Sequence, residues 1–369
     1  MLNGSNTRER PRTKADVAEK DTLSAAGGLC LHWPEYLMEA GESGLYLFSA
    51  CVVATLLWHP ASPVGRHLPN DAVRRMLMGL AMGATIIAIV LTPWGKRSGA
   101  HFNPAVTFTF YRLRKVAPWD AAFYGTAQLF GSVAGVALAS LVLRGAPAHK
   151  AVRYAATIPG IYGDAIAFLA ELAISFVLMS AILFASNHEL LAPYTHYFAA
   201  ILVAAYIAFE SPISGMSTNP ARTFGPALYA DYWHALWIYF IGPPLGMLAA
   251  AEVFLLARDR KGPYCAKLHH HNDKRCIFRH SGPAPCSAGI KRGKETINNQ
   301  RQPTSSRHQG DTLCVKMLYI TALHMRTLQT RSRISPLRRI LTRLNCVLKK
   351  KSRGESSVRQ QSHQTCTIE

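Results

Sequence analysis

Ser98-Gly99-Ala100-His101-Phe102-Asn103-Pro104-Ala105-Val106-Thr107-Phe108 recurs as Ser214-Gly215-Met216-Ser217-Thr218-Asn219-Pro220-Ala221-Arg222-Thr223-Phe224. Seven of the eleven positions are identical, at a fixed offset of 116 residues. A single Asn-Pro-Ala tripeptide carries no weight. Two copies, each introduced by Ser-Gly and each closing a strongly apolar segment, mark an internal duplication, and a duplication is read before anything else.

Around the two boxes lie six apolar segments, at about 36–58, 72–93, 119–143, 165–185, 197–209 (beginning at 194 at the earliest) and 233–257. A hydrocarbon core of about 30 Å takes roughly 20 residues of helix to cross, so each reads as a span. Each box falls between the second and third span of a group of three. Three is odd, so the second group must enter from the opposite side of the membrane, and the halves are inverted about an axis in its plane. Gly79 and Gly83, Gly131 and Gly135, and Gly242 and Gly246 stand four residues apart. In lipid such pairs let helix backbones approach closely.

Each box also has the chemistry of a helix start. Asn is a favoured N-cap, and Pro suits the first helical position because its missing N–H would have had no partner there. The runs that follow, 105–112 and 221–229, give about 15 Å of helix, half the bilayer. Two half-helices entering from opposite faces meet with their N-termini at the midplane. Non-helical backbone at that depth is tolerated only in a protein interior or beside an aqueous cavity, and the sequence therefore implies a pore. The expected fold is an all-α membrane protein with six transmembrane helices and two re-entrant half-helices in an inverted repeat.

Composition bounds the flanks. The 369 residues carry 41 Lys and Arg against 21 Asp and Glu, a net charge of +20. Residues 281–369 alone hold 17 basic and 4 acidic residues, so the basicity belongs mostly to an appendage and does not by itself argue for nucleic acid. The expected division is a polar arm at 1–34, a channel domain at 35–260 and a basic, largely disordered tail at 261–369. The first 31 residues mix charges without an apolar core segment, which excludes a secretory signal peptide there. Basic clusters at Arg112-Arg114-Lys115 and Arg258-Arg260-Lys261 place both termini in the cytoplasm by the positive-inside rule, although Arg144, Lys150 and Arg153 oppose it. No nucleophile–base pair or phosphate loop argues for an enzyme.

The paired boxes, the Ser-Gly-Ala-His lead-in, Arg222 after the second box, and Glu39 and Glu171 in the first helix of each half resemble the major intrinsic protein family, the aquaporins and aquaglyceroporins, over residues 36–257. The resemblance implies a homotetramer in the plasma (inner) membrane, each subunit with its own pore for water or a small neutral solute, and no cofactor. It implies that Asn103 and Asn219, with Pro104, Ala105, Pro220 and Ala221, form the pore centre. There two helix dipoles and two amide donors disfavour cations and turn the central water. It implies pore-lining carbonyls at Gly99, Ala100, His101, Phe102, Gly215, Ser217 and Thr218, and loop-bracing roles for Glu39 and Glu171.

A charge inside a membrane span usually serves a pathway, and Arg222 matches the family's constriction arginine. Met216, Ile207 and either Met82 or Gly83 complete the filter, the register before the first box being open. Water-selective members carry a His where Ile207 falls and an aromatic where Met82 falls, so this filter is more apolar. Thr223, Ala227 and Tyr239-Phe240 look aquaporin-like instead. Water is the expected solute. Glycerol or another small neutral solute is the alternative, and an ion-coupled transporter the more distant one.

In the tail, Cys265, the triple histidine His269–His271, Cys276 and His280 invite a zinc reading, but the spacing matches no finger pattern and no metal is expected. If the tail is cytoplasmic its cysteines are thiols. An apolar-basic patch between 313 and 348 has the composition of a membrane-surface helix.

Overall fold

The computed structural model describes residues 24–281 and is all-helical over them. Among the described residues six helices are long and apolar enough to cross a membrane. They are α1 (Ala25–Trp58), α2 (Asp71–Leu91), α4 (Pro118–Val142), α5 (Asp164–Ser186), α6 with its continuation, and α8 (Leu236–Ala257). The half-helices are α3 (Pro104–Arg112) and α7 (Pro220–Ala230). The sixth element starts as α6 (Thr195–Ala205), widens into a π turn at Tyr206–Glu210 and ends with Ser211–Ser214.

Two boundaries differ from expectation. The first helix starts at Ala25, capped by Ser24, whose Oγ accepts from the Gly27 N–H at 3.2 Å. Hydropathy marks only the lipid-crossing part of a helix, whereas the preceding turns are held by polar contacts to α4. Asp120 accepts from the Tyr36 hydroxyl at 2.7 Å and lies 2.8 Å from His32 Nδ1. Second, residues 262–281 were expected in a tail without fixed structure, yet Cys265, Ala266, Leu268, Ile277 and Phe278 are buried. A tail average dominated by Lys and Arg conceals these two short apolar stretches. The 313–348 patch lies outside the described residues.

The spaced glycines explain the pairing of spans. A Cβ on Gly131 would overlap the Ala40 carbonyl, and one on Gly135 the Gly44 carbonyl, so α4 meets α1 backbone to backbone. In the second half Gly246 stands equally close to the Leu172 carbonyl, which joins α8 to α5. Gly79 makes the equivalent contact with Ala204 between α2 and α6, the seam between halves. Without a hydrophobic effect inside lipid, close packing of this kind is what holds helices together. The opposite faces keep apolar side chains outward, including Phe130, Leu141, Ile201 and Phe209.

Candidate functional site

The two boxes meet. Asn103 and Asn219 share one extended backbone geometry (φ −150° and −152°, ψ 115° and 110°). Each closes its helix start in the same way. Asn103 Oδ1 accepts from Ala105 N–H at 2.9 Å, and Asn219 Oδ1 accepts from Ala221 N–H at 2.9 Å and Arg222 N–H at 3.2 Å. With the oxygens committed as caps, the amide nitrogens are free to donate, and each does so to the other repeat. Asn103 Nδ2 donates to the Thr218 carbonyl at 2.8 Å and Asn219 Nδ2 to the Phe102 carbonyl at 2.9 Å. A carboxamide has two N–H groups, so one ties the repeats together and one is left on each side chain.

The loops leading into the boxes repeat the same backbone irregularity. Gly99, Ala100 and Phe102 have φ of 104°, 56° and 30°, and Gly215, Met216 and Thr218 have 83°, 50° and 54°. For residues other than glycine this left-handed region is unfavourable by about 1–2 kcal/mol, and something must hold it. Two buried carboxylates do. Glu39 accepts from the N–H groups of His101 (2.9 Å) and Phe102 (2.7 Å), and from Gln128 Nε2 at 2.7 Å. Glu171 accepts from Ser217 N–H (2.6 Å), Thr218 N–H (2.7 Å) and Ser214 Oγ (2.8 Å). In the first half the serine corresponding to Ser214, Ser98, donates instead to Glu42 at 2.8 Å. Tyr124 and Tyr239 donate to the carbonyls of Ser98 and Ser214. All these side chains are buried.

Beyond the second box, Arg222 borders a cavity of about 280 Å³ whose lining includes Met82, Ile207, Met216, Tyr46 and Arg75. Arg222 Nη1 donates to the Ala155 carbonyl at 2.8 Å and to Thr157 Oγ1 at 3.0 Å. Thr157 is in turn 3.1 Å from Thr223 Oγ1, which is 2.6 Å from Ser217 Oγ. The guanidinium is thereby fixed to the loop between α4 and α5, which also lines the cavity at Ala151, Val152 and Ala156.

Of the two register alternatives before the first box, Met82 borders this cavity and Gly83 does not. A Cβ on Gly83 would lie 3.0 Å from the Ala200 carbonyl, so it faces α6 as a packing glycine, and its place among the filter residues is corrected. Tyr46, Met78 and the 146–157 loop were not singled out in the sequence. The loop has no motif of its own, and its relation to Arg222 is purely spatial. His101, named for its carbonyl, also uses its ring: Nδ1 is 3.0 Å from Thr107 Oγ1 and Nε2 is 2.7 Å from the Ala266 carbonyl. Among the described residues no group of three or more His, Cys, Asp or Glu is arranged to hold a metal. Within the zinc-like stretch, burial pushes the His270 imidazole down to about 4, and the Cys265 and Cys276 sulfurs are 3.7 Å apart. Cys30, at the start of α1, is disulfide-bonded.

Six spans, two half-helices abutting through their caps and a cationic side chain bordering a cavity define an integral membrane protein of the inverted-repeat, half-helix class. The family profile of the major intrinsic proteins matches residues 30–254, and the chain belongs to that family. It is 33% identical to Aquaporin NIP2-3 of Zea mays over 71% of this chain and 89% of that one. It is 35% identical to Probable aquaporin NIP-type of Nicotiana alata over 48% of this chain, spanning 64% of the relative's length. The aquaglyceroporin of Plasmodium falciparum superposes with a TM-score of 0.51 at 18% identity, covering 60% of this chain and 95% of that one, a likeness of fold.

Proposed function

We propose that the chain is a passive channel for water, with Asn103 and Asn219 at the centre of the path and Arg222, Met82, Ile207 and Met216 as its filter. The observation that carries this reading is the reciprocal tie between the boxes, which holds two helix N-termini and two remaining amide N–H groups at one point. Each helix end contributes about half a positive charge. Cations are repelled there, while a water oxygen accepts from the amides and is turned away from its neighbours in the file. The carbonyls of 99–102 and 215–218 supply acceptors on either side, and the Glu39 and Glu171 carboxylates keep the loops that carry them in place. Arg222 adds a second barrier to cations and a donor to the passing solute.

A second reading is favoured by one observation. Met82, Ile207 and Met216, the proposed filter's residues besides Arg222, are apolar and line the same cavity as Arg222, and this agrees with the NIP type of two of the chain's relatives. A small neutral solute such as glycerol would then accompany water. The channel works as a homotetramer in the plasma membrane with both termini in the cytoplasm, which puts Arg222 at the outer mouth. Its outward apolar faces are covered by lipid and by neighbouring subunits. Stopped-flow shrinkage of proteoliposomes tests the reading: water flux with a low activation energy is expected, and flux no faster than that of empty liposomes would refute it. Glycerol shrinkage of the same vesicles separates the two solute readings.

A further inference from the structure

The stretch that follows α8 does more than leave the membrane. Asp259 and Arg260 adopt φ of 51° and 63° and turn the chain back, and Tyr264 N–H donates to Asn187 Oδ1 at the end of α5 at 2.7 Å. The chain then crosses to the first repeat. The Ala266 carbonyl lies 2.7 Å from His101 Nε2, and Leu268 N–H donates to the Gly99 carbonyl at 3.1 Å. Phe278 stacks on the His101 ring at 5.3 Å and 11°, and His269 meets His196 of α6 edge-on at 5.2 Å. The ammonium of Lys267, only 1% exposed, donates to the carbonyls of Lys96, Lys274 and Arg275 at 2.8, 3.2 and 2.8 Å. On the far side Arg279 N–H donates to the Lys115 carbonyl at 3.0 Å.

These contacts span both repeats at the mouth away from Arg222, and one of them occupies the Gly99 carbonyl, which the channel reading assigns to the path. Desolvating an ammonium is expensive unless its donors are met, and here a carbonyl of the channel is one of its three acceptors. We propose that residues 262–281 are an autoinhibitory plug, docked across the mouth formed by the 99–101 loop, and that the pore conducts when the plug leaves. The proposal rests on the channel reading, since a plug needs a pore to close.

Hydrogen exchange and flux on the full chain in proteoliposomes test it together. In the intact protein the amides of Leu268, Arg279 and Ser281 should exchange slowly. Two variants release the segment without touching the spans: Lys267→Ala combined with Phe278→Ser, and Leu268→Pro, which removes the N–H given to Gly99. A plug docked in about nine of ten molecules holds flux to a tenth of the open value, so both variants should lose protection and conduct water, or glycerol if that is the solute, about tenfold faster. Equal and non-zero flux in released and intact protein overturns the plug and leaves the channel reading standing. Rapid exchange of these amides in the intact protein also overturns it. A released protein, still helical by circular dichroism, that passes neither water nor glycerol overturns both.

Discussion

Replacing Glu171 by Gln changes one atom of the brace and should disable the second loop. The carboxylate accepts three hydrogen bonds, from Ser214 Oγ, Ser217 N–H and Thr218 N–H, at 2.6–2.8 Å. Gln keeps the shape but turns one oxygen into a donor, which faces a donor whichever way the amide is flipped. At least one charge-assisted bond, about 1.5–3 kcal/mol, is lost, and a buried N–H is left unmet at a further cost of about 1–3 kcal/mol. The loop has little in reserve against this, because Met216 and Thr218 are both held at left-handed φ, each at about 1–2 kcal/mol. A shift of about 3 kcal/mol corresponds to roughly a hundredfold in an equilibrium, enough to displace the loop in most molecules. Water permeability per reconstituted subunit should fall at least tenfold while the spans remain folded by circular dichroism. Glu39→Gln should behave alike at the first loop, through His101 and Phe102. Wild-type permeability in either variant, at matched reconstitution, would refute the bracing argument.

Arg222→Ala should leave water flux within a few-fold and admit larger solutes and cations, read by glycerol, urea and cation leak in the same vesicles; an unaltered solute profile counts against the filter assignment. Thr157→Val removes one of the two acceptors on Arg222 Nη1 and should relax solute discrimination by less than Arg222→Ala does. Gly131→Val drives a branched side chain into the Ala40 backbone, and overpacking of this kind costs about 1–3 kcal/mol or more. Its melting temperature in detergent should fall clearly, whereas a like change at Gly125, whose Cβ position is open, should be mild. Finally, the docked segment holds His270 neutral, its imidazole lowered from 6.5 to about 4 by burial, with His271, His280 and His269 adding to the effect. A lowered imidazole means that the released form binds the proton more readily, so docking is fully supported above pH 6.5 and weakens as the pH falls from 6.5 toward 4. Exchange at 264–281 should therefore quicken between pH 7.5 and 5.5, and His270→Phe should blunt the response; a pH-independent rate, after correction for intrinsic exchange, would refute it.

Much of this protein is decided by local rules. Hydropathy over about 20 residues identifies a span wherever it lies. An Asn-Pro pair starts a helix by capping chemistry that needs no distant partner. Counting three spans per copy then dictates the inversion. For these reasons the six spans, both half-helices and the glycine seams were legible in the sequence, though not the start of the first helix at Ala25, and so were Asn103, Asn219, Arg222, Glu39 and Glu171 as the residues to watch. What only the tertiary structure decided involves groups whose partners are remote in the chain. Met82 rather than Gly83 borders the cavity because α2 turns its glycine toward Ala200. The asparagine amides are spent partly on each other's loops, across 115 and 117 residues. Arg222 is aimed by Ala155 and Thr157, in a loop with no motif to announce it. And a basic stretch beyond the last span, which composition averages into a largely disordered tail, buries Lys267 and Phe278 against the first box, because the Lys96 carbonyl and the His101 imidazole meet them there and the stretch's own Lys274 and Arg275 carbonyls complete the ammonium's partners, a geometry that only the folded chain assembles.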